Sequence, residues 1–154
     1  MVDQPIRVLV VEGRFYEDIQ AELRQGAVRA LGDAGVEYDI VGVPGAFEIP
    51  AAIAFAEEAG HRPLGIRYDG YVALGCVIRG ETSHYDYVCG ESARGLMDLA
   101  VGRKLAIGYG ILTVETDAQA WKRARVEEKD KGGGAARACL EMISLKRRLL
   151  GQPR

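Results

Sequence analysis

The chain has 154 residues, 48% hydrophobic and 27% charged, with a formal charge of −2 and a pI near 5.8. That length suits one globular domain burying roughly two thirds of the surface its unfolded chain exposes. Acids and bases are interspersed, which leaves no basic footprint for nucleic acid or a membrane surface. A single domain is expected over residues 1–154, with its core at about 6–148. The opening MVDQPIRVLVVEG is too short in apolar residues for a signal segment or for the ~20 that span a bilayer, so a soluble, cytoplasmic protein is expected. Cys76, Cys89 and Cys139 lack C-x-x-C spacing and sit in apolar or helical patterns, as reduced thiols do; neither a disulfide nor a metal site is expected.

In chain order, the apolar runs IRVLVV (6–11), YDIVGV (38–43), YVALGCVI (71–78) and KLAIGYGIL (104–112) read as parallel strands buried on both faces. Between the first two, Ile19, Leu23, Gly26, Ala27, Ala30 and Leu31 recur at helical spacing, with Gly32 and Gly35 available to end the helix. PGAFEIP opens a second helix, and AGHRPLGIRYDG (59–70), which holds His61, reads as a solvated linker. After the third strand, Val88, Ser92, Gly95, Leu96 and Leu99 form another helical stripe. Two more helices are predicted at 115–124 and 134–148, with Lys146, Arg147 and Arg148 as a solvated last turn. The βαβ alternation with right-handed crossovers predicts an α/β fold, a flavodoxin-like three-layer sandwich with a four-stranded parallel sheet and helices on both faces.

Ligands of such sheets collect beyond the carboxyl ends of the strands, where strand order reverses. Four loops lie there: EGRFYED, PGAFEIP, RGETSH and TVETD. None carries a nucleotide fingerprint, and the third strand lacks the terminal aspartate of phospho-acceptor regulators. In RGETSH, Ser83 is placed to cap a helix with Asp86 three residues on, leaving the N–H groups from Gly80 to Ser83 to face an anion or plain water. His84 falls in the first helical turn, beside that anion position; a proton-transfer role and a structural one both fit. Phe15 and Phe47 suit either a stacking surface or the core, and Glu48 either a helix start or a hydrogen-bond acceptor for a polyol or heterocycle. Arg123 and Lys131 are candidate anion contacts among several bases between 122 and 131.

GRF (13–15), VPGAFEIP (43–50), ALGCVIRGETSHYDYVC (73–89), GILT (110–113), QAWKRA (119–124) and KGGGAA with LEM (131–142) together resemble the lumazine synthase family, over about residues 6–148. The resemblance implies condensation of 5-amino-6-(D-ribitylamino)uracil with 3,4-dihydroxy-2-butanone 4-phosphate to 6,7-dimethyl-8-ribityllumazine, phosphate and water, with no cofactor or metal. It implies that Phe15 stacks on the pyrimidine, that Ala46, Phe47 and Glu48 hold the ring and ribityl chain, and that Val77 and Ile78 contact the ring through backbone groups. Gly80, Glu81 and Thr82 would bind phosphate opposite Arg123, His84 would move protons, and Tyr109 and Lys131 would complete the site. Its implied working unit is a homopentamer with sites between adjacent subunits. Only about five residues precede the first strand, which favours a free pentamer over a sixty-chain shell. Two positions depart from the family pattern: Tyr16 where many relatives have asparagine, and Tyr109 where phenylalanine is frequent. A non-catalytic flavin- or lumazine-binding module on the same fold is the alternative.

Overall fold

Strand β1 (Arg7–Gly13) lies inside a four-stranded sheet of order β2-β1-β3-β4, with β2 at Glu37–Val43, β3 at Gly70–Ile78 and β4 at Ala106–Val114. All three pairings are parallel, Val10 facing Ile40 on one side and Val72 on the other. This computed structural model describes residues 4–151. The expectation of a short amino-terminal arm rests partly on residues 1–3, outside the described ones. Helices α1 (Glu17–Asp33), α4 (Asp117–Ala124) and α5 (Lys131–Leu150) bury Leu23, Ala120 and Ala136 against Val8, Val10 and Val72. On the opposite face, α2 (Ile49–Gly60) and α3 (His84–Gly102) bury Ile49, Ile53 and Leu96 against Leu9, Val11 and Tyr71. Alternate residues of β1 thus serve opposite layers, as the two-residue period of a strand requires. The three-layer α/β sandwich is as expected. Among the described residues, no helix is long and apolar enough to cross a membrane.

Four expectations about the strands and helices need correction. The outer strands are not buried on both faces: β2 and β4 are the two sheet edges, with Ile40 and Val41 each about 40% exposed on β2 and Tyr109 46% exposed on β4. Strand β4 starts two residues late because Lys104 takes a left-handed φ of 56°, which turns the chain out of α3 before extension begins. Helix α4 starts at Asp117 after a Thr116 cap whose hydroxyl accepts from the Gln119 N–H at 3.2 Å. Helix α5 starts three residues before the predicted 134, so all three glycines of KGGG lie inside it. Their poor propensity is overridden by packing: a β-carbon on Gly132 would overlap the Leu23 carbonyl oxygen of α1, and one on Gly108 would overlap that of Ala135. Asp130, held left-handed at φ 44°, caps α5 by accepting from the Gly133 N–H at 3.1 Å.

The supposed solvated last turn also differs. Arg147 is only 11% exposed at its side chain, donating to Asp69 at 3.3 Å and to the Gln4 carbonyl oxygen at 3.0 Å, so it ties α5 to the amino end of the sheet. Nearby, Arg7 bridges Glu37 and Asp39, the Tyr68 hydroxyl donates to Asp39 at 2.7 Å, and that of Tyr71 donates to Glu57 at 2.5 Å. His61 caps the end of α2, its side chain about half exposed and 3.4 Å from Glu57. The three thiols are free, two of them buried and Cys89 half-buried.

Candidate active site

At the other end of the sheet, the loops after β1, β2 and β3 converge on a cavity of about 460 Å³. It lies beyond the carboxyl ends of β1 and β3, the neighbours between which strand order reverses. Gly13 lets the first two loops meet, since a β-carbon there would stand 2.8 Å from the Gly45 carbonyl carbon. Phe15 and Tyr16 form one wall; Ala46, Phe47 and Glu48, in a 3-10 turn ahead of α2, form the second. Val77 and Ile78 end β3 on the floor, and Gly80, Thr82 and His84 complete the third. Phe15 is 73% and Phe47 58% exposed, which rules out the core reading for both rings.

The segment between β3 and α3 is held from outside the cavity. Arg79 donates to Glu115 at 2.8 Å, reaches Asp86 at 3.5 Å and lays its guanidinium 4.2 Å from the centre of the Tyr85 ring. With its donors so engaged, Arg79 is a strut, and the chain beyond it is fixed. Ser83 does not cap α3 with its side chain: its backbone is already helical at φ −72° and ψ −1°, so the hydroxyl is not carried over the first turn. Thr82 takes that place, its hydroxyl accepting from the His84 N–H at 3.3 Å. Among the described residues, the N–H groups of Gly80, Glu81, Thr82 and Ser83 meet no protein acceptor, and the exposed His84 ring has no side-chain partner. Four free donors at the start of a 19-residue helix make a local positive potential suited to an anion. Burial pushes the Cys76 thiol in the cavity wall up to about 12, with Asp117 acting the same way, so it stays protonated and is no nucleophile.

Not every predicted site residue is gathered here. Glu81 is exposed beside the free N–H groups but outside the cavity wall. Tyr109 faces away, on β4 beside Met97 and Ile107 of a separate shallow surface. Arg123 is half-buried on α4, donating to the Gln119 carbonyl oxygen at 3.1 Å, and Lys131 is exposed at the first turn of α5. Sequence reasoning missed Pro44, Gly45, Cys76, Tyr85 and Val88, which also line the cavity, and left Tyr16 without a role. Simple periods carried that signal: Cys76 shares a strand face with Ile78, and Val88 lies one helical turn beyond His84. Among the described residues, no group of His, Cys, Asp and Glu is placed to hold a metal.

Two exposed aromatic rings, an anion cradle and a nearby imidazole define an α/β protein that can hold a planar molecule next to a negatively charged one. The chain belongs to the lumazine synthase family: the family model for 6,7-dimethyl-8-ribityllumazine synthase matches residues 5–147. It is 62% identical over 146 residues to 6,7-dimethyl-8-ribityllumazine synthase 1 of Rhizobium meliloti (strain 1021), covering 95% of each chain. It is 60% identical over 143 residues to the synthase of Nitrobacter hamburgensis, covering 93% of this chain and 87% of that protein. With the synthase of Agrobacterium fabrum the identity is 59% over 144 residues, 94% of this chain and 97% of that one.

Proposed function

We propose that the protein condenses 5-amino-6-(D-ribitylamino)uracil with 3,4-dihydroxy-2-butanone 4-phosphate, forming 6,7-dimethyl-8-ribityllumazine, phosphate and water in the cytoplasm. The observation that carries this reading is the run Gly80–His84, which sets free N–H donors and an imidazole at the rim of a cavity walled by Phe15 and Phe47. Phe15 stacks on the pyrimidine. Ala46, Phe47 and Glu48 hold ring and ribityl chain, and the backbone of Val77 and Ile78 contacts the ring edge. Gly80, Glu81 and Thr82 receive the phosphate.

The 5-amino nitrogen attacks the ketone carbon, and the carbinolamine loses water to an imine. Loss of a proton from the carbon chain expels phosphate, and the ribityl-bearing nitrogen closes the second ring with loss of water. Each step moves a proton, and His84 alternates as acceptor and donor. Positioning of the two substrates supplies much of the acceleration.

Among the described residues no Lys or Arg lines the cavity: Arg123 and Lys131, together with the aromatic Tyr109, stand away from it. In the proposed homopentamer these three reach the cavity of the adjacent subunit through a repeated heterologous interface. Phosphate release assayed with both substrates tests the reaction, and its absence in folded protein refutes it. Co-refolding His84→Ala with Arg123→Ala tests the sharing. Random mixing restores an intact site at roughly a quarter of interfaces, so activity rises well above either parent. Mixed rings with only the parental average would place all the residues in one chain.

A further inference from the structure

Tyr16 occupies the N-cap of α1, a position that favours Ser, Thr, Asp or Asn because their side chains accept from the first free N–H groups. Tyrosine cannot do so, and no side-chain cap hydrogen bond is made there. Its carbonyl oxygen still accepts from the Gln20 N–H at 2.8 Å, which fixes the backbone at the helix start. The ring packs partly buried against the core layer of α1, α4 and α5 while also lining the cavity. It meets Phe15 edge to face, with ring centres 4.8 Å apart and planes at 81°. Among the described residues this is the one aromatic contact of Phe15, a ring otherwise 73% exposed. Burial raises the Tyr16 phenol above its ordinary range, with Cys76 and Asp117 adding to the rise, so the hydroxyl stays protonated.

We propose that Tyr16 is a positioning residue for ligand stacking: anchored in the core, its ring holds the solvent-exposed Phe15 ring in the plane that receives the pyrimidine. This deepens the synthase reading and rests on it. A ring with few contacts samples several rotamers, and a ligand that needs one of them binds more weakly by the populated fraction. The helix start gives up its capping hydrogen bond and gains a preorganised stacking surface. The ring, rather than the hydroxyl, does the holding.

The test uses Tyr16→Asn and Tyr16→Phe, each made in the wild-type chain and in Phe15→Leu. Asparagine supplies the missing N-cap, so α1 keeps its start while the ring is lost. The readouts are calorimetric affinity for the ribitylaminouracil and KM for each substrate. Edge-to-face pairs contribute enough to predict that Tyr16→Asn weakens pyrimidine binding about 2- to 12-fold, with the KM for the butanone phosphate changed less than about twofold. Tyr16→Phe recovers the affinity to within about twofold, and in the Phe15→Leu background Tyr16→Asn adds no further loss. A loss of the same size in that background overturns the proposal, because Tyr16 would then act without Phe15. So does a parallel rise in both KM values, or a Tyr16→Phe as weak as Tyr16→Asn. If Phe15→Leu alone leaves pyrimidine affinity unchanged, the stacking assignment fails and the proposal with it. Wild-type protein that binds the pyrimidine but releases no phosphate refutes the synthase reading alone, since the ring pair is read in binding.

Discussion

The two ends of the sheet are both rich in polar groups, yet they handle them in opposite ways. At the amino end, Arg7, Asp39, Tyr68, Asp69 and Arg147 engage one another, and Tyr71 engages Glu57. At the carboxyl end, among the described residues, the N–H groups of Gly80–Ser83 and the ring of His84 have no protein partners, and Gly80, Thr82 and His84 line the cavity beside two exposed phenylalanines. Apart from the buried Arg147 Nε, which meets no acceptor among the described residues, the amino-end groups pair with one another and add stability and orientation, whereas donors left open are available to a ligand. The difference predicts that substitutions at one end lower stability and at the other lower activity.

The largest expected effect is at the open end. His84→Ala lowers turnover about 100-fold, near the lower limit for a positioned acid–base group, while the thermal midpoint and pyrimidine affinity hold. Steady-state phosphate release beside calorimetry checks this, and wild-type turnover removes His84 from the mechanism. Next comes the closed end: Arg147→Ala leaves Asp69, 15% exposed, without that charged partner and costs about 1–3 kcal/mol of folding stability. The urea midpoint should fall while turnover per folded chain stays the same. A fall in turnover with unchanged stability would erase the contrast between the ends.

Third, Arg123→Lys keeps the charge but loses the planar fork, and raises the KM for the butanone phosphate about tenfold with little change for the pyrimidine. Equal changes for both substrates would make Arg123 structural.

The smallest effect is the amino end's share of the pH dependence, beside that of the raised Cys76 thiol and Tyr16 phenol at the cavity. Burial, and then the Asp39 hydrogen bond, pushes Tyr68 up to about 12 from an ordinary 10.0. The folded chain therefore holds that proton more tightly, and the resulting stability is complete below pH 10 and lost as pH rises towards 12. Asp39 is pulled below its ordinary 3.8 by the Tyr68 hydroxyl and then by Arg7, so its contribution is present above that pH and fades as acid protonates the folded carboxylate. Solvent screening keeps both contributions small. Tyr68→Phe should flatten the alkaline slope of the urea midpoint, and an unchanged slope would remove Tyr68 as its source.

The sheet was legible because parallel strands covered on both faces need continuous apolar runs, as in β1 and β3. The edge position of β2 was not, because Ile40 and Val41 have the same composition in a covered strand and at an edge. The start of α5 was misplaced because propensity counts against Gly132–Gly134, while the packing that calls for glycine at 132, against Leu23 of α1, is more than a hundred residues away in sequence. At the site, the local geometry of RGETSH pointed to a run of free N–H groups, and among the described residues those of Gly80–Ser83 meet no protein acceptor. The capping by Thr82 in place of Ser83 turned on a backbone angle that residue types do not reveal. The separation of Tyr109, Arg123 and Lys131 from the cavity was invisible to spacing, and only the family resemblance implied that these residues serve a neighbouring chain.

The seam of glycines beneath α5 also constrains how such sequences can diverge. Gly132 and Gly108 each lie against a backbone carbonyl, which cannot rotate aside as a side chain can, so even a methyl group must push two elements apart. Among the described residues, Gly32 and Gly134 have nothing within 4 Å of a would-be β-carbon, so the fold of the chain leaves room for a methyl group there. A random-substitution library selected for growth without added riboflavin should therefore keep alanine at Gly32 and Gly134 and lose it at Gly108 and Gly132, so that neighbouring glycines of one KGGG run have different evolutionary fates.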